Sequence, residues 1–135
     1  MKTIWKIILF TLALLICGCC PAKFEDVYTG SDTPSLTVRG ESQLKFDPTY
    51  MQQSFSRSRG EFRVGTDNMS EYFVLKVSQI PSEENQNLTA DVKWTSGESI
   101  KELHRRKFTV KKMEAGTIWL WCSSDNILAV VRIPD

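Results

Sequence analysis

One histidine, His104, and four cysteines, three of them at Cys17, Cys19 and Cys20, give this 135-residue chain little from which to build a protein metal cage or an imidazole-centred catalytic apparatus. Charge of one sign is missing too. With 17 Lys and Arg against 16 Asp and Glu, a formal net charge of +1, nucleic acid and other polyanions meet no cationic field. No apolar run reaches the roughly 20 residues that cross a hydrocarbon core, because the uncharged stretch that begins at Ile7 ends before Lys23. Helical spacing is scarce: no apolar stripe extends much beyond about two turns, and Ser99–Arg106 comes nearest. Nucleophile-elbow, phosphate-loop and His-Glu-x-x-His motifs are absent, as are repeats and low-complexity tracts. The sequence therefore carries no positive feature of an enzyme, and neither a metal nor a cofactor is expected.

What is present is enough apolar material, 41 % of residues, for the core of one domain. Lys2 and Lys6 flank the start of the run Ile7–Ile16, which ends at Cys17 and Gly18, the layout of a secretory signal peptide. Within it, Ile16-Cys17-Gly18-Cys19 resembles the lipobox of bacterial lipoproteins, in which an aliphatic residue, a small residue and Gly or Ala precede the cysteine that is lipidated. Cys20 fits less well, since Cys19 would then precede the cut and Cys17 fill the aliphatic slot. The resemblance implies cleavage before Cys19, a diacylglyceryl thioether on Cys19 and an acylated amino terminus. Acyl chains in that number, palmitate among them, anchor a small domain durably at about 0.8 kcal/mol per buried CH₂. The expected address is the cell envelope, lipid-anchored at the outer membrane.

These readings divide the chain into a signal peptide at 1–18, a lipidated cysteine and flexible tether at 19–34, and a β domain at 35–135. Loss of Lys2 and Lys6 with the leader brings the mature chain to within one charge of neutrality. Pro21–Pro34, with its glycine and small polar residues, reads as a tether about 46 Å long when extended, enough to hold the domain clear of the headgroups. Of the two cysteines left over, Cys122 lies among apolar residues and reads as a small core residue rather than a partner for Cys20.

From Ser35 onward the hydrophobic period is two. In Leu88–Thr95, Leu88, Ala90, Val92 and Trp94 share one face, and in Tyr72–Ile80 Phe73, Leu75 and Val77 do so. Weaker segments at Ser35–Arg39, Gln43–Phe46, Met51–Phe55 and Glu61–Val64 are punctuated by Gly40, Pro48, Gly60 and Gly65, and His104–Met113 sets Phe108 and Val110 together. Thr117–Cys122 and Ile127–Ile133 flank Ser123–Asn126, a turn by composition. Centring the turn there pairs Trp121 with Leu128 and Trp119 with Val130 on one side, Leu120 with Ala129 and Ile118 with Val131 on the other. Both faces are apolar. Short antiparallel strands in this number predict an all-β fold, a small immunoglobulin-like β-sandwich, with a lipocalin-sized barrel as the alternative. The likeness to small immunoglobulin-like modules, the BACON-type envelope domains among them, is one of architecture and transfers no functional residue.

Chemistry-bearing residues read mostly as surface. His104 precedes Arg105, Arg106 and Lys107 and has no evident carboxylate partner in the sequence. Glu83–Glu84 reads as a solvated loop after Pro81, and Asp91 with Glu98 as ordinary surface acids. The basic run with Lys111 and Lys112 suits a charged edge strand. Trp119 and Trp121 are the one constellation that suits a ligand platform, since a flat aromatic face stacks on a sugar ring. Two roles follow: a noncatalytic lipid-anchored envelope protein whose domain binds or supports another envelope protein, or a surface glycan-binding module using Trp119 and Trp121.

Overall fold

The computed structural model describes residues 23–134. The leader, Cys19, Cys20 and the start of the expected tether lie outside that range. Nine strands carry the alternating segments: β1 Ser35–Val38, β2 Glu41–Lys45, β3 Met51–Ser56, β4 Glu61–Thr66, β5 Tyr72–Val77, β6 Asn87–Thr95, β7 Ile100–Glu114, β8 Thr117–Cys122 and β9 Ile127–Arg132. The chain is thus all-β and antiparallel, as its period of two requires.

The strands form one sheet in the order β2-β1-β9-β8-β7-β6-β5-β4-β3. That order departs from the expected immunoglobulin-like sandwich, which needs connections crossing between two separate sheets. Here each strand from β3 to β8 pairs with its successor in the chain, and β1 then adds to the outer edge of β9. Curling replaces crossing. β7 makes the bend, because its residues 100–109 pair with β6 whereas 109–114 pair with β8. Two irregularities drive it. Opposite Asp91 the register slips between Ala90 and Val92, Arg105 takes a left-handed φ of 53°, and its N–H donates to Asp91 Oδ1 at 2.7 Å. A second slip falls between Val110 and Lys112. Bulges of this kind bend a strand and let it pass from one layer to the next. They also account for Ser99–Arg106, whose near-helical spacing belongs to the bulged first half of a strand.

The two halves of the curled sheet enclose a single core. Phe62, Phe73, Leu75, Phe108, Val110, Ile118 and Leu120 are fully buried within it. Phe46, just past β2, stacks on Phe73 of β5 with ring centroids 6.1 Å apart, joining the halves through side chains. Arg106 lies partly buried against the same interior rather than on a solvated face, its Nε 3.1 Å from Asp125 Oδ2 in the β8–β9 turn. That approach is an ion pair off the line of a hydrogen bond, for Nε has no hydrogen-bond partner.

The β3–β4 turn depends on Gly60. It holds φ at +63° and accepts the Val77 N–H at 2.7 Å, and a Cβ there would stand 2.8 Å from the Val77 carbonyl oxygen. Gly60→Ala is expected to lower stability by about 1 to 3 kcal/mol, and by more than Gly40→Ala, where φ is also left-handed (+77°) but a Cβ meets nothing within 4 Å. Urea melts of the two variants separate crowding from backbone strain. Equal losses would remove the steric part of this account.

Candidate functional site

β8 and β9 are buried on both faces, with only Arg132 partly open. Their pairing is the one expected from the turn: Trp119 opposite Val130, Trp121 opposite Leu128, Leu120 opposite Ala129 and Ile118 opposite Val131. Ile118, Leu120, Ala129 and Val131 belong to the main core, whereas Trp119, Trp121, Leu128 and Val130 form a separate cluster on the outer face. Trp119 is 2 % and Trp121 5 % exposed. The platform is covered.

The cover is the segment expected to be a free tether. Phe24–Val27 forms one helical turn, α1, in which Asp26 Oδ2 accepts the Lys23 N–H at 3.1 Å and the Phe24 carbonyl accepts the Tyr28 N–H at 2.9 Å. Phe24, Val27 and Tyr28 stand at i, i+3 and i+4, so one turn suffices to put all three on the same side, where they pack on the tryptophan cluster. Phe24 meets Trp121 edge-on at 6.2 Å and Tyr28 meets Trp119 edge-on at 6.0 Å, while Phe24 and Tyr28 stack on each other at 5.1 Å. Such ring pairs contribute about 0.5–1.5 kcal/mol beyond the burial of their area. The signal was in the sequence. A three-residue apolar spacing is too short to register as a helix, and it gains meaning only from the aromatic face it lies on.

Polar contacts fix the strap in place. Trp119 Nε1 donates to the Ser31 carbonyl at 3.3 Å. Lys112, the Cα partner of Trp119 on β7, sends Nζ to the Tyr28 hydroxyl at 2.9 Å and to Glu114 Oε2 at 3.1 Å. The same ammonium stands 5.3 Å from both the Tyr28 and Trp119 ring centroids, within range of cation–π attraction. The hydrogen bond to Tyr28, and after it that to Glu114, raises the pKa of Lys112 above the ordinary 10.5. A raised lysine pKa means that the charged contact is at full strength through neutral pH and fades only as pH climbs past that value.

Beside the strap lies an open cavity of about 550 Å³ between it and the outer face of β1 and β9, with Tyr28, Ser31, Pro34, Lys45, Trp119, Leu128 and Val130 in its lining. Its walls mix ring and aliphatic surface with hydroxyl groups. Among the described residues its titratable lining is Lys45 and Tyr28, and its mixed walls suit an amphiphilic group.

The remaining sequence candidates are dispersed. His104 does have carboxylate neighbours, contrary to the sequence reading, with Glu102 Oε2 at 3.3 Å from Nε2 and Asp91 Oδ1 at 3.9 Å from Nδ1, on an exposed strand face. Glu102 precedes it by two positions, the spacing at which strand residues share a face. Asp91 serves the β7 bulge, Glu84 accepts the Met113 N–H at 3.3 Å, and Glu98 lies exposed in the β6–β7 turn. Cys122 is buried with a free thiol 3.2 Å from Ser124 Oγ. Among the described residues no three His, Cys, Asp or Glu side chains gather as a metal cluster, and no helix is long and apolar enough to cross a membrane. No family model matches the chain, and no curated protein or solved structure is significantly similar to it.

Proposed function

We propose that the chain is a noncatalytic, lipid-anchored protein of the cell envelope, held at the outer membrane through Cys19, whose β domain binds or supports another envelope protein. The observation that carries this reading is Ile16-Cys17-Gly18-Cys19 at the end of a positively flanked apolar leader. The strap supports it by placing packed chain shortly after Cys19. Lys23 follows shortly after Cys19, and the chain beyond it is already packed on β8 and β9. A lipid on Cys19 would then hold a defined face of the domain towards the membrane instead of paying out a loose tether.

The glycan-binding alternative at Trp119 and Trp121 is the weaker reading, because Phe24 and Tyr28 already pack against both rings and leave them buried. A glycan would first have to displace the strap.

Metabolic labelling with a clickable fatty acid is expected to mark the wild-type chain and to be lost in Cys19→Ala. Label that survives in Cys19→Ala but disappears in Cys20→Ala moves the anchor by one residue, and an unlabelled wild type removes the anchor from the proposal. Lysine cross-linking in intact cells is expected to join the domain to a different envelope protein, with a lower yield in Cys19→Ala. Recovery of the uncoupled chain alone would count against a partner.

A further inference from the structure

Among the described residues the curled sheet ends in two edge strands, β2 and β3, and they are unlike. β2 carries Glu41 and Lys45 and has a register slip in its pairing with β1, two devices that discourage another strand from joining. β3, Met51-Gln-Gln-Ser-Phe-Ser56, has neither: it contains no charge and no proline and pairs with β4 without a slip. Among the described residues no strand pairs with its other side.

The ladder shows which groups that edge offers. Asp67 N–H donates to the Tyr50 carbonyl, and antiparallel hydrogen-bonded pairs alternate, so Gln52, Ser54 and Ser56 face β4 with their backbone groups. Met51, Gln53 and Phe55 therefore point N–H and C=O outward. These three are symmetric about Gln53. A second, antiparallel copy of β3 centred on Gln53 would set Met51 opposite the second copy's Phe55 and Gln53 opposite its own equivalent, with both N–H···O bonds made at each pair.

Two independent features fit that register. Gln53 Oε1 is buried without a hydrogen-bond partner, and a turn of that side chain towards the two-fold axis would give it the amide of the other Gln53, a donor of the kind it lacks. The ends of the strand are also opposite in charge: Asp47 precedes β3, while Arg57 and Arg59 follow it. An antiparallel β3–β3 pairing brings the Asp47 end of each copy beside the Arg57 and Arg59 end of the other, whereas parallel pairing would set like against like. We propose that β3 is a self-association edge, joining two copies of this chain through an antiparallel β3–β3 ladder about Gln53. This does not depend on the anchor at Cys19.

The test uses the full chain in cells, oxidised with copper phenanthroline and resolved without reductant, with the parent chain giving the background of its own cysteines. Hydrogen-bonded antiparallel pairs hold Cα atoms about 5.5 Å apart, inside the disulfide range. Gln53→Cys is expected to form a dimer at least about tenfold faster than the parent and than Arg63→Cys on the exposed face of β4. Should Gln53→Cys fold poorly, a tagged Gln52→Cys chain co-expressed with Ser54→Cys, both at exposed positions, is expected to give a mixed dimer. Within the Gln53→Cys chain, Asp47→Arg is expected to cut cross-linking at least about fivefold and the added change Arg59→Asp to restore it. A yield no higher than the parent in both cysteine designs overturns the proposal, as does failure of the charge exchange to restore the dimer. Cross-linking to a foreign chain in place of the dimer assigns the edge to another protein and overturns it equally.

Discussion

Trp121→Ala is expected to lower the unfolding free energy by about 3 to 5 kcal/mol, the cost of deleting a large buried ring whose site cannot fully collapse. The ring is 5 % exposed, packed between Leu128 across the β8–β9 ladder and Phe24 of the strap. Removing it takes away buried apolar area and also the surface on which α1 rests, so the strap loosens together with the hairpin. Denaturant melts of a chain beginning at Ala22 give the magnitude, and cleavage between Lys23 and Pro34 by limited proteolysis reports the strap. A loss under about 1 kcal/mol, with binding to a glycan abolished, would instead restore the open platform that the sequence alone allowed.

The second large effect is expected at the centre of the main core. Phe73 is fully buried on β5 and stacks on Phe46, which arrives from the opposite half of the curled sheet just after β2. Phe73→Ala is expected to cost about 3 to 5 kcal/mol as well, but with a different signature. Phe46 loses its ring partner, so the β1–β2 end should loosen along with β5, and amide exchange in β1 and β2 should accelerate along with that in β4 and β5. Val74→Ala, one residue away on the outer face and only partly buried, is the matching control and should cost much less. An equal loss at both positions, or exchange that quickens in β4 and β5 alone, would show that the two halves do not share one core.

The strands were legible because each needs only its own alternation. Leu88, Ala90, Val92 and Trp94 point inward from β6 as their spacing requires, and the β8–β9 register follows from four turn residues between two apolar runs. What the sequence could not give were features that arise between strands. The curl of the sheet rests on two single-residue slips in β7, one of them held by a hydrogen bond from the Arg105 N–H to Asp91 Oδ1, and neither disturbs the local hydrophobic pattern enough to mark a boundary. Nor does the Arg106 Nε look like a buried atom until Asp125 is brought beside it. The candidate site was half legible. Trp119 and Trp121 on one face were evident, but two apolar faces on one hairpin imply a cover without naming it, and Phe24, Val27 and Tyr28 are too few to announce themselves within a stretch rich in turn residues.

The pairing of β1 with β9 sets the order of assembly. Ladders from β3 to β9 close between neighbours in the chain, so they can form as the segments emerge, at little loop-closure cost. β1 is different: Ser35 pairs with Val130 and Leu36 with Ala129, near opposite ends of the chain. The first strand to be made must wait for the last, and the strap, which rests on β8 and β9, waits with it. Until β9 arrives, β1 and β2 have their own hairpin ladder and the Phe46 contact but no place in the sheet, and the aromatic residues ahead of them have nothing to pack on, so the amino-terminal end is the last part of the domain to become secure.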